Sequence, residues 1–424
     1  MTESDNPAQP SRRRFLGATG SLVALGSTSY GSAAPTGTPK HNDQVEPFWG
    51  PHQAGIVTPA QRSTYFAAFD LAATKRADVI AMLKAWTNAA ARLTAGKPAA
   101  TAEASADMPG ADTADTMGLP PSRLTVTFGF GPGLFVKDGK DRYGLAAQRP
   151  EAFVDLPRFV GDQLVATHTG GDVSVQACAD DPQVAFHAVR QLGRLSYDAA
   201  DLRWTQTGFM PDFGPGERPR NLMGFKDGTN NPSITDAAAM DKVVWVGSEG
   251  PDWMRGGSYL VARRIRIALE HWDRMKVGFQ EQTVGRHKYS GAPLGRTNEK
   301  DALDLDAKDE DGNLLTPENA HVRLATATTN DGAQILRRPY SYNDGTNFTA
   351  ERWPPWRQAN EYDAGLFFMC YQRDPRTGFI KIFENMSKFD MMNQFVTHVG
   401  GGMFACPGGI ASGEYVGQRL FETA

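Results

Sequence analysis

The sequence predicts an α+β sandwich made by duplicating one strand–helix–strand unit. Two internal offsets and the order of the elements carry that expectation. Asp181-Pro182 with Phe186 and Asp374-Pro375 with Phe379 share one internal spacing and lie 193 residues apart. Tyr65 and Tyr259, each opening the first strand of its half, lie 194 residues apart. Coincident offsets argue for an internal repeat. Strands and helices also follow one another without the strict alternation of a doubly wound sheet, which favours α+β layers.

Each element has a local signature. "STYFAAFDLA" (63–72) reads as a strand. In the helix after it, Val79, Ile80, Leu83, Trp86 and Leu93 share one apolar face, and Gly96 and Pro98 end it. Residues 97–121, rich in Ala, Asp, Thr and Pro, read as a long surface loop. "RLTVTFGFGPGLF" (123–135) alternates as a strand and breaks at Gly-Pro-Gly; Pro132 and the missing Lys-Ser/Thr argue against a nucleotide loop. "DVSVQACA" is a further strand, and "DPQVAFHAVRQL" starts a helix at Pro182. In the second half, "GSYLVARRIRIAL" (257–269) alternates with period two, placing Tyr259, Val261, Ile265, Ile267 and Leu269 on one face. "GLFFMCYQ" (365–372) is a wholly buried type of strand.

Bulk composition narrows the function classes. The 424 residues are 40% hydrophobic and 22% charged, as in globular proteins, and the formal net charge is −4. No basic stripe is present, which argues against a nucleic-acid partner. The first 34 residues read as a leader: Arg12, Arg13 and Arg14 precede Phe15-Leu16, a short Gly-rich run and Ala33-Ala34. Ser-Arg-Arg-x-Phe-Leu is the twin-arginine form of a signal peptide, implying export through the twin-arginine machinery to a periplasmic or extracellular location. Residues 35–50 read as a solvated lead-in. Cys178, Cys370 and Cys406 are odd in number and form no Cys-x-x-Cys, so they read as buried small residues. Cys-x-x-Cys-His is absent, so a haem would not be covalently attached.

Two stretches stand out for chemistry. "MGFKDGTNNP" (223–232) sets one carboxylate, Asp227, on a backbone turned tightly by Gly224 and Gly228. "ENAHVRLATATTNDGAQILRRPYSY" (318–342) holds His321 and then Arg337 and Arg338 on a short strand. No His-Glu-x-x-His, Gly-x-Ser-x-Gly or Walker loop occurs.

These stretches resemble the dye-decolourising (DyP-type) haem peroxidases. "GFKDGTNNP" is similar to the family's Gly-x-x-Asp-Gly signature, "HVRLA" to its proximal-histidine segment and "ILRRPYSY" to its distal-arginine segment. "HQAGIVTPAQ", "LTVTFGFGPGLF", "GRHKYSGAPLG", "GLFFMCYQRD" and "VGGGMFACPGG" also resemble the exported, EfeB-like branch, in the family's order and across the whole mature chain. The fold so implied is a tandem pair of ferredoxin-like modules, residues 35–215 and 216–424, with antiparallel sheets face to face and the haem site in the second module.

The resemblance implies one non-covalent haem b per chain, with His321 as axial ligand to its iron, and reduction of hydrogen peroxide through a high-valent iron intermediate. A phenolic or dye-type donor would be the reductant. On the distal side Asp227 would act as acid/base and Arg337 would supply positive charge. Strand alternation puts Arg337 with Ile335, Pro339 and Ser341, and Arg338 with Leu336, Tyr340 and Tyr342; the family pattern favours Arg337. Either Glu384 or Asp390 would accept from the far nitrogen of His321. Gly228, Thr229 and Asn230 are expected at the haem edge, with Arg337 and with Thr326, Ala327 and Thr328. There "LATATT" departs from the family's Leu-Ala-Asn-Pro-Arg. Phe367 or Phe368 would line the distal pocket. Trp353, Trp356, Tyr340 and Tyr342 are candidates for relaying electrons to bulky donors. An iron-uptake role that releases iron from haem, a non-catalytic haem carrier and a homo-oligomer remain alternatives, and an acidic optimum is expected if Asp227 must be protonated.

Overall fold

Nine strands close into a ring in the computed structural model, which describes residues 42–101, 107–212, 217–346 and 361–422. The predicted leader, Trp353 and Trp356 lie outside the described residues. In the first half β1 (Ser63–Leu71), β2 (Thr125–Phe130), β3 (Val173–Ala179) and β4 (Ala200–Phe209) pair in the order β4-β1-β3-β2, all antiparallel. In the second half β5 (Ser258–Ile267), β6 (Leu336–Arg337), β7 (Tyr340–Thr346), β8 (Tyr362–Gln372) and β9 (Val396–Cys406) take the equivalent order. There β9 lies beside β5, β5 beside β8, and β8 beside β6 and β7, which run end to end.

The repeat expected from the offsets is visible in the register. Ala67 faces Val175 in the first sheet, and Val261 faces Cys370 in the second. The two sheets meet at narrow seams, with one registered pair at each: Phe130 with Ala405 and Phe209 with Ser341. Both halves therefore share one interior, filled by Phe66, Trp204, Leu260, Phe367, Tyr371 and Phe404. Closure covers most of the free edge that an open sheet exposes, while β6 pairs on one side only, with β8.

Helices cover the outer faces unequally. In the first half α1 (Arg76–Thr94) runs 19 residues, burying Val79, Met82, Leu83, Trp86 and Leu93 against the sheet, and Gly96 (φ +69°) follows its end. The apolar positions recur every three or four residues, so one stripe faces inward. Trp86 is fully buried against Phe69 and Phe128, with ring centroids 5.2 and 5.9 Å away. A buried side chain of this size stabilises by roughly 1.5–3 kcal/mol. Beside it, α2 (Pro182–Arg194) starts where Asp181 accepts from the backbone N–H of Gln183 (2.7 Å) and Val184 (3.2 Å). The matching connection in the second half, residues 268–335, carries only short helices, among them α3 (Val277–Val284) and α4 (His321–Ala325). The second copy of α2 is α5 (Phe379–Phe389).

Two local expectations are modified. Residues 42–50 are partly solvated, with Asp43, Gln44, Val45 and Pro47 exposed, but they are also anchored: Glu46 accepts from Arg123 Nε at 2.9 Å, and Phe48 and Trp49 pack on the core. β5 does not have one apolar face and one polar face, because the ring interior covers one side and loops and α5 cover the other. Its arginines are buried and paired instead: Arg263 and Asp162 are each 2% exposed at 2.8 Å, and Arg264 meets Asp344 and Asp363 at 3.0 and 2.9 Å. The three cysteines are buried and free, as expected.

Candidate active site

His321 opens α4, a helix of five residues that is too short to stand alone and is held by its flanks. Arg323 donates to the carbonyls of Thr316 (2.8 Å), Pro317 (3.1 Å) and Leu305. At the other end Thr329 Oγ1 donates to Arg323 O at 2.6 Å, and Asn330 Nδ2 donates to the carbonyls of Leu324 (2.7 Å) and Thr326 (2.8 Å). These bonds satisfy carbonyls that a helix end leaves open. Gly285, at φ +88°, lets α3 approach α4 closely: a Cβ there would sit 2.4 Å from Val322.

Between the alternatives left by the sequence, the structure selects Asp390. Its Oδ2 lies 2.7 Å from His321 Nδ1, while Glu384 pairs with Lys388 on the helix surface. A carboxylate only accepts, so Nδ1 carries the proton and Nε2 is the nitrogen left for a metal. Asp390 is itself fixed, with Oδ1 accepting from Met392 N at 2.8 Å. Met391 N donates to Asn319 O (3.1 Å), joining the segments on which the two residues sit.

None of the five residues of α4 is buried, although the helix lies within the fold. The His321 side chain is 30% exposed, yet protein surrounds it closely. Burial is the largest influence on its proton affinity and would lower it. The charge and hydrogen bond of Asp390 outweigh that and raise it, while Arg337 lowers it and Asp227 raises it.

Asp227 and Arg337 are bound together. Arg337 Nη1 donates to Asp227 Oδ1 at 2.9 Å, with the carboxylate 13% and the guanidinium 28% exposed. The Asp227 turn is built as its residues suggest. Gly228 (φ +81°) donates its N–H to the same Oδ1 at 2.6 Å, and Asp227 N donates to Pro219 O at 2.8 Å. The two arginines separate as strand alternation predicts. Arg337 pairs with Cys370 on β8 and shares its face with Phe368. Arg338 turns inward, donating to Gln61 Oε1 and Thr58 O.

Of the phenylalanines, Phe367 is buried inside the ring against Phe66, at 5.4 Å between centroids, and Phe368 is part-exposed on the Arg337 face. Tyr340 and Tyr342 are buried inside the ring. Thr229 Oγ1 donates to Glu299 at 3.0 Å, Asn230 and Thr328 are exposed, and Thr326 and Ala327 are part-buried just after α4. A cavity of about 350 Å³ adjoins the Asp227–Arg337 pair, walled also by Ile56, Met210, Gly228 and Asn231; His321 does not line it. Sequence reasoning passed over two residues of this site. Asn330 anchors the turn after α4, and Asn231 bonds to the backbone of Arg337. The Asn-Asn-Pro run beside Asp227 is the only sign of the second.

A model of the Dyp-type peroxidase N-terminal domain matches residues 53–210, and one of the C-terminal domain matches residues 218–411. A dye-decolorizing peroxidase of Thermobifida fusca is 38% identical over 457 aligned positions, covering 100% of both chains. A deferrochelatase of Escherichia coli K12 is 36% identical over 98% of this chain and 97% of its own. Ferric DtpA from Streptomyces lividans superposes with a TM-score of 0.82 at 40% identity, over 91% of this chain and 100% of that one. Through both halves and nearly its full length, the chain belongs to the Dyp-type peroxidases, enzymes whose cofactor is haem.

Proposed function

We propose that this chain reduces hydrogen peroxide at a haem whose iron is held by His321, with Asp227 and Arg337 as the distal groups. The observation that carries the reading is geometric: His321 is fixed by Asp390, and Asp227 is bound to Arg337 beside a cavity of about 350 Å³. His321, with Nδ1 committed to Asp390 and Nε2 left open, is the residue that would hold the haem iron. Haem supplies that iron and the redox chemistry.

The chain's own residues do the rest. Asp390 holds His321 in one tautomer and orientation and raises its basicity. Asp227 takes a proton from one peroxide oxygen and returns it to the other, work that typically contributes roughly 10²–10⁴-fold. Both its hydrogen bonds from Arg337 and Gly228 fall on Oδ1, so Oδ2 is the atom available for the proton. Arg337 stabilises the negative charge on the departing oxygen. Phenolic or dye-type donors would supply the electrons. Gly228, Thr229, Thr326 and Ala327 are proposed at the haem edge, and the first 34 residues as a twin-arginine export signal.

A second reading has support in the deferrochelatase relatives: release of iron from haem within an iron-uptake system. A passive carrier would have no use for Asp227 or Arg337. The deciding experiment records absorption spectra of the haem-loaded protein before and after one equivalent of peroxide, with His321→Ala and Asp227→Ala alongside. The peroxidase reading expects loss of the Soret band in the His321 variant. It also expects a fast peroxide-driven spectral change in wild type that slows at least 100-fold in the Asp227 variant. Haem held through His321 without any response to peroxide would overturn it in favour of iron handling.

A further inference from the structure

We infer that Asn231 is a positioning residue for the distal pair, its side chain standing in for a missing strand beside β6. Its Nδ2 donates to Arg337 O at 2.7 Å, and Arg337 N donates to its Oδ1 at 2.9 Å. The two residues are 106 apart in the chain, so this clamp is tertiary. β6 has only two residues, and Pro339 ends it. Its neighbour β8 takes the N–H of Arg338, which donates to Met369 O at 2.8 Å. In an antiparallel ladder the next residue's polar groups point the other way. Arg337 therefore presents both N–H and C=O to the open edge, and there the amide of Asn231 meets both as a backbone peptide would.

The geometry of the turn explains why Asn231 can reach. Asn231 N donates to Gly228 O at 3.0 Å, closing a turn that starts one residue after Asp227. Pro232 restricts the residue before it to extended conformations, which sets the direction of the Asn231 side chain. The Asp227 loop and β6 are thus tied twice, once through the Asp227–Arg337 side chains and once through Asn231. During turnover the first tie must loosen, because carboxylate and guanidinium exchange partners with peroxide. The second tie keeps their backbones in place meanwhile. A displacement of an ångström at a reacting group is enough to lose roughly 10²-fold in rate.

This inference rests on the proposed roles of Asp227 and Arg337, and its test separates the two. In haem-loaded protein, Asn231→Ala should react with peroxide at least tenfold more slowly, with haem content and Soret band unchanged. The backbone amides of 335–338 should lose at least tenfold of their protection from hydrogen exchange. Asn231→Asp gives the sharper readout. A protonated carboxyl has the same donor and acceptor as the amide, whereas a carboxylate would set an acceptor against Arg337 O. That variant should approach the wild-type rate below about pH 4 and fall away from it above, a divergence that a merely structural defect would not produce. If wild type responds to peroxide but both variants follow it at every pH with protection intact, the clamp is refuted and the proposed function stands. If wild type does not respond, the proposed function itself fails.

Discussion

Asp390→Asn removes one charge and leaves the shape of the side chain intact, yet the structure predicts a large effect. Both carboxylate oxygens accept from N–H groups, Oδ2 from His321 Nδ1 at 2.7 Å and Oδ1 from Met392 N at 2.8 Å. An amide has one acceptor and one donor end, so whichever way it turns, two donors face each other. With Nε2 on iron, as proposed above, Nδ1 would keep its proton and could not adapt. Loss of such a partner typically costs roughly 10–100-fold in metal affinity or activity. If that loss falls on the ferric state, which gains most from a basic imidazole, the iron(III)/iron(II) potential rises by about 59 mV per tenfold, or about 60–120 mV in all. Spectroelectrochemical titration of wild type and Asp390→Asn, both haem-loaded, measures this directly. A variant that holds haem with its potential within about 20 mV of wild type would refute the argument that Asp390 sets the electronic character of His321.

Further expectations concern stability. Asp162 binds the guanidinium of Arg263 through both oxygens, at 2.8 and 2.9 Å, and Phe159 and Phe383 flank the cation at 5.4 and 5.7 Å. Asp162→Asn strands a buried charge and should cost about 3–5 kcal/mol in urea unfolding. Asp162→Leu with Arg263→Met should recover most of it, and equal losses in both would refute the ion-pair account. Glu249 is held by Arg373 through two bonds of 2.7 Å, which lower its carboxyl from 4.5 to about 2. A depressed folded-state value gives stability that is present above pH 4.5 and lost as the pH falls toward 2. Glu249→Gln should therefore flatten the acid limb of a stability profile in that window. Since the carboxylate is 49% exposed, the difference should be small and shrink in 1 M salt.

The parts of this molecule that are legible in the sequence are those written locally. Period-two apolar runs mark the strands, Asp181-Pro182 marks a helix start, and the repeated Asp-Pro and Tyr offsets mark the duplication. Asp227, His321 and Arg337 are legible because a family pattern surrounds each. Strand alternation separates Arg337 from Arg338, since two adjacent side chains must face opposite ways, and the family pattern selects the first. What stays hidden depends on contacts between distant segments. Asp390 and Glu384 are equally plausible partners until the course of α5 puts one under His321. Arg263 looks misplaced on an apolar face until Asp162, from 101 residues away, arrives beside it. Asn231 reads as turn chemistry, because nothing near it in the chain tells of Arg337.

The unequal helical cover of the two halves divides labour inside one chain. The first copy of the repeat is covered by α1, whose Trp86 is buried against its sheet. The second copy carries only short helices in the matching connection. Mutational tolerance should be partitioned accordingly. Changes under α1 act through the persistence of the fold, whereas changes between β5 and β6 are free to reshape reactivity while a shared interior, anchored by the other copy, goes on holding the ring shut.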